Sequence, residues 1–170
     1  MVGRVTGTGE HVNDPLEDKT MRRMFDRDRV IAVVGASTNW DRPSCRIMQY
    51  MQAMDYHIFP VNPRAAGDEI LGRKVYATLA DVPEPIDMVN VFRKPDAVAE
   101  VTEQAIAVGA KSIWMQDGVR DDQAAEKARK AGLDVVMDRC FKREHFRLYG
   151  GNPQPTKATS GQLDSKDTAA

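Results

Sequence analysis

Cysteine is scarce. Cys45 and Cys140 are the only two in 170 residues, and neither belongs to a CxxC pair. That excludes a disulfide scaffold and a cysteine-based zinc site. The expectation is a cytoplasmic protein with free thiols and no structural metal. Charge of one sign is lacking too: the net charge is -1, so nothing global attracts nucleic acid or an acidic membrane surface. No apolar run reaches the roughly 18 residues that a membrane-spanning helix needs. The first residues lack the apolar centre of a secretion signal. Catalytic constellations are missing as well. His11, His57 and His145 fall in a leader, at a strand start and in the last helix. No Ser-His-Asp set, paired carboxylates or metal cluster assembles around them, so His57 and His145 are read as structural. There are no internal repeats.

What is present is an alternating α/β pattern. Hydrophobic residues make up 42% of the chain, in the range of ordinary globular domains, and the length suits one domain. The organising stretch is Val30-Ile31-Ala32-Val33-Val34, which runs into Gly35-Ala36-Ser37. An unbroken, mostly β-branched apolar run marks a strand buried on both faces. Small residues then let a backbone or a ligand approach. A helix entered near Arg42-Pro43-Ser44 aims its free N–H groups and positive dipole end at that turn. This is an anion-binding arrangement.

Further along, strands are expected at about 57–61, 87–92, 112–115 and 134–137. Helices are expected at about 44–54, 95–108, 121–131 and 141–148. Ile47, Met51 and Met54 share one face of the first of these helices. A short helix from Asp14-Pro15 to Phe25 precedes the first strand, with Leu16, Met24 and Phe25 as candidate anchors. The irregular 65–80 segment reads as a small hairpin and a helical turn. Residues 1–20 are read as a mostly disordered leader, 21–148 as the domain, and 149–170 as a disordered tail. The fold class is therefore a three-layer, doubly wound parallel sheet of about five strands, Rossmann-like, with expected order 3-2-1-4-5. Ligands of such sheets bind at the carboxyl ends of the strands, at the switch point of the order. That rule points here to strands one and four.

Basic residues recur at those ends: Arg42, Arg64, Arg93, Lys94 and Arg139. Cations gathered on one rim of a near-neutral chain suit a polyanion. The ordinary dinucleotide fingerprint is not there. It needs GxGxxG and an acidic residue about 20 positions on, for the ribose hydroxyls. Only Gly35 is present, and strand two ends in Val61-Asn62-Pro63-Arg64. Asn and Arg at that place favour a ligand with an extra phosphate near the ribose, either NADP or coenzyme A. Arginine donates bidentately to such phosphates. Trp114 is expected in the core, and Trp40 exposed in the first loop. Cys140 is weighed as a thiol activated by a helix N-terminus and Arg139, and as a small residue packing the last helix. Packing is the favoured reading.

Six stretches in order carry a resemblance: Ile31–Ser37, Arg42-Pro43-Ser44, Val61-Asn62-Pro63, Val91-Phe92-Arg93, Ile113–Gly118 and Val136–Cys140. With them the chain resembles the small CoA-binding proteins, similar to the CoA-binding domain of the succinyl-CoA synthetase α subunit, over about residues 25–148. The resemblance implies coenzyme A or an acyl-CoA lying across the strand ends. Gly35, Ala36, Ser37, Arg42, Pro43 and Ser44 would meet the phosphates. Val61, Asn62, Pro63 and Arg64 would flank the adenosine. Phe92 and Arg93 would line the crevice toward the pantetheine, and Gln116 and Gly118 would close it. The phosphorylated histidine of the synthetases lies in a further domain, so the resemblance carries binding and no reaction. Two other readings stand beside it: an NADP-binding enzyme or nucleotide-sensing regulator, and a CoA-binding subunit completed by a partner. A homodimer is also compatible.

Overall fold

The computed structural model describes residues 13–153. The expected 1–20 leader and 149–170 tail fall largely outside these residues. Where they overlap, residues 15–20 are helical, so the first helix, α1 (Pro15–Arg27), begins ahead of the expected domain boundary. Its N-cap Asp14 accepts a hydrogen bond from the Leu16 amide at 2.9 Å, the usual way to satisfy a first-turn donor.

Five parallel strands form the sheet: β1 (Val30–Val34), β2 (His57–Val61), β5 (Met88–Val91), β6 (Ser112–Met115) and β7 (Asp134–Val136). Helices α2 (Pro43–Ala53), α3 (Val98–Ala107) and α4 (Asp122–Lys130) connect them, and α5 (Phe141–Tyr149) follows β7. The irregular segment holds a small antiparallel hairpin, β3 (Glu69–Ile70) and β4 (Arg73–Lys74), and a 3-10 turn at Leu79–Asp81.

Strand residues alternate between two cores. Ile31, Val33, Ile58, Met88, Trp114 and Val136 face α1, α2 and α5. Ala32, Val34, Val89, Val91, Ile113, Met115 and Val135 face α3 and α4. Both faces are therefore apolar, which is why the strands read as continuous hydrophobic runs. Ile47, Met51 and Met54 are buried as their spacing implies, whereas Leu16 is 74% exposed and Met21 takes its place as an anchor of α1.

The strand order corrects the expected 3-2-1-4-5. It is β2-β1-β5-β6-β7, or 2-1-3-4-5 counted over the parallel strands, the other common doubly wound order. The physical reason is in β2. Pro60 stands opposite Val33 in the β1–β2 pair and has no N–H for a second ladder, so a proline-bearing strand belongs at an edge. The outer side of β2 takes only the passing chain at Tyr76, whose amide donates to Pro60 O at 2.9 Å. The third parallel strand pairs with β1 instead. The switch point thus lies between β1 and β5, one strand nearer than expected.

Below α5 lies an aromatic cluster. Phe25 meets Trp114, Phe141 and His145 at ring-centroid distances of 5.2, 5.1 and 5.0 Å. His145 is fully buried and shares a 2.8 Å hydrogen bond with Tyr50 Oη. Burial, helped by the Arg29 guanidinium, pulls its pKa down to about 4. A histidine with a depressed pKa takes up its proton in the unfolded chain first. Its contribution is therefore intact above pH 6.5 and is lost as pH falls from 6.5 to 4, up to about 3 kcal/mol. Denaturant titrations at pH 7, 5.5 and 4 should show this loss. His145→Gln should flatten the part of the profile above pH 4, and an unchanged slope in that variant would remove His145 as its cause.

Candidate functional site

The carboxyl ends of β1 and β5 form the floor of a cleft of about 720 Å³, within the usual range for small-molecule sites. Gly35 turns the chain out of β1 with φ +86°. A Cβ there would stand 2.6 Å from the Phe92 carbonyl oxygen and 3.1 Å from Arg93 Cδ. The chain leaving β5 therefore passes directly over the turn, and only glycine admits that approach.

The loop between Gly35 and α2 is held by its own side chains. Ser37 N donates to Ser44 Oγ at 3.2 Å, Asn39 N to Ser37 Oγ at 3.0 Å, and Asp41 N to Asn39 Oδ1 at 2.9 Å. The Cys45 thiol donates to Ser37 O at 2.8 Å, and burial pushes that thiol's pKa up. Asn62 Nδ2 donates to Ala36 O at 2.8 Å, tying the loop to the end of β2. α2 then begins at Pro43 with no side-chain cap and no acidic residue in its first turn. Its dipole end faces the cleft, with no acidic residue in that first turn to neutralise it.

Four cations line the cleft: Arg42, Arg64, Arg93 and Lys94. Among the described residues, none of their side chains makes an ion pair or hydrogen bond. The one carboxylate on the lining, Asp117, is held by Arg143 at 2.8 Å. Several arginines elsewhere are paired: Arg23 with Asp134, Arg139 with Glu17, Arg147 with Asp18. The cleft thus gathers four cations and one paired carboxylate on its lining.

Of the residues singled out from sequence, Gly35, Ser37, Arg42, Pro43, Ser44, Asn62, Arg64, Phe92, Arg93, Gln116 and Gly118 all line this cleft. Ala36 and Val61 are buried beneath it, and Pro63 opens a 3-10 turn away from the lining. Gln116 is 5% exposed and already occupied. Its amide donates to Asn90 Oδ1 at 2.8 Å, and its oxygen accepts from Phe141 N at 3.2 Å. It fixes the floor and the start of α5. The Gly118 amide donates to Asp138 Oδ1 at 2.7 Å. Lys94, counted among the strand-end bases but given no contact, lines the cleft too, as do Ile47, Pro95, Asp117, Val119 and Cys140, which the sequence did not place among the binding residues. Ile47 carried only a core signal. Cys140 is half-buried at the N-cap of α5.

Arg139 is a correction. It sits at a strand end like the other bases, but it is only 4% exposed and bonds Glu17 through Nε and Nη2 at 2.7 Å each. Its carbonyl accepts from Trp114 Nε1 at 2.8 Å. Trp114 is fully buried and Trp40 is 55% exposed, in line with their sequence positions.

Residues 29–146 match a family described as CoA binding domain. A relative from Bacillus subtilis, "Uncharacterized protein YneT", is 37% identical over 125 residues, 74% of this chain and 91% of that protein. A "hypothetical protein from Pyrococcus horikoshii OT3" of known structure is 39% identical with a TM-score of 0.75, covering 82% of this chain and 99% of the other. The ADP-forming acetate–CoA ligase II of Archaeoglobus fulgidus is 28% identical over 142 residues, 81% of this chain but only 19% of the ligase. The relationship to such ligases is thus to their CoA-binding part, and this chain spans a small fraction of their length. On the fold, the geometry of the strand ends and these matches, the chain belongs to the CoA binding domain family.

Proposed function

We propose that the cleft binds coenzyme A or an acyl-CoA, with the polyphosphate at the start of α2. The observation that carries this reading is the set of four cations on the lining without protein partners. A CoA molecule brings a pyrophosphate and a ribose phosphate, which bidentate guanidinium groups and a helix N-terminus complement. The donor set therefore fits the ligand chemistry. The small Gly35–Ser37 turn lets the ligand approach the backbone, and Phe92, Pro95, Ile47 and Val119 give the lining an apolar share suited to a pantetheine arm.

Thermal shift with CoA, acetyl-CoA, NADP and NAD tests the reading. At 100 times its Kd a ligand adds about 2.7 kcal/mol of stability. The expected result is a shift with a CoA species that exceeds those with NADP and NAD. No shift with either CoA species would sink the proposal. Arg42→Ala should weaken CoA binding about tenfold, the size of a lost charge-assisted contact. Its melting temperature without ligand should not change, because Arg42 is exposed and makes no side-chain bond.

A further inference from the structure

Resting on the CoA reading, we infer that Trp40 is a stacking platform for the adenine of the bound ligand. Trp40 is one of three large hydrophobic side chains that stand exposed among the described residues, at 55%. The others, Leu16 and Phe146, lie on α1 and α5. Trp40 occupies the tip of the turn closed by Arg42 N donating to Asn39 O at 3.0 Å. The two ends of that loop, Ser37 and Arg42, both line the cleft.

A single exposed hydrophobic residue is ordinary on a protein surface. The loop makes this one different. Its backbone is fastened by Ser37, Asn39, Ser44 and Cys45, so the indole is held in water by a fixed turn. Its surroundings select the occupant. Trp40 itself is not on the cleft lining, but Arg42, two residues on, lines it with three more cations that call for a polyanion, and in CoA the flat ring next to the phosphates is a purine. A purine on an indole face is a favourable and geometrically tolerant contact. The pantetheine arm offers no such plane.

The two tryptophans make the test direct. Trp114 is fully buried and Trp40 exposed, so ligand-induced changes in indole emission report on Trp40. CoA and adenosine 3′,5′-bisphosphate should each quench that emission, and 4′-phosphopantetheine should not. In calorimetry, Trp40→Ala should weaken CoA and the bisphosphate about tenfold and leave phosphopantetheine unchanged, while Trp40→Phe should restore most of the loss. Equal CoA affinity in wild type and Trp40→Ala overturns the stacking inference and leaves the CoA reading intact. Equal weakening of phosphopantetheine also overturns it, since the indole would then serve the loop and not the base. Absence of CoA binding by the wild-type protein overturns both.

Discussion

Gly35→Ala is expected to cost about 3 kcal/mol of stability and to remove the CoA-dependent thermal shift. Two effects add. The backbone φ of +86° disfavours any L side chain by about 1–2 kcal/mol. The new Cβ would also stand 2.6 Å from the Phe92 carbonyl oxygen and 3.0 Å from its carbon. That carbonyl cannot swing away cheaply, because the same residue's amide donates to Val34 O at 2.8 Å. Relief requires the ends of β1 and β5 to part, which displaces Arg93 from above the turn and opens the cleft. A matched control exists. Gly132 has φ +91° but open space where its Cβ would go, so Gly132→Ala carries the dihedral cost alone. Denaturant unfolding of the two variants separates strain from collision. Equal losses would show that the close approach at Gly35 is soft, and retained CoA binding in Gly35→Ala would take the turn out of the site.

The sheet strands were legible because burial on both faces leaves β-branched runs no polar alternation to confuse them. Val30–Val34 and Ser112–Met115 announce themselves in this way. The expected order 3-2-1-4-5 was wrong because it rests on counting crossovers; Pro60 in β2 bears on the order only when one asks which strand can spare a ladder donor. The cleft was read well where residues follow a strand end directly, as at Gly35, Asn62 and Arg93. It was read poorly where a residue reaches the site from inside a helix, as Ile47 does, since the same spacing also marks a core position. Ala36 and Val61 neighbour lining residues in sequence, yet close packing buries their side chains. Lys94 and Arg139 sharpen the point. Both are bases at strand ends, and only their surroundings distinguish a base on the cleft lining from one in a structural pair.

Arg139→Met is therefore expected to behave unlike Arg42→Ala: it should lose about 3 kcal/mol of stability. Arg139 is nearly enclosed, with 5% of its side chain exposed, and faces Glu17 at 2.7 Å and Glu144 at 3.5 Å. Glu144 is itself 4% exposed at the side chain. Removing one partner of a buried pair strands the other charge, at a cost of about 3–5 kcal/mol. The lower end applies here, because Arg147 still reaches Glu144 at 2.8 Å. The loss also loosens α1, which Glu17 ties to the start of α5. Pairing the change with Glu144→Gln removes the stranded charge and should recover part of the loss. Chemical denaturation of the two single variants and the double variant measures the coupling. CoA titration well below each midpoint should give Kd values near wild type for Arg139→Met and raised values for Arg42→Ala. If Arg139→Met instead keeps its stability and loses CoA, the buried pair is not what holds that guanidinium, and Arg139 joins the cations of the cleft.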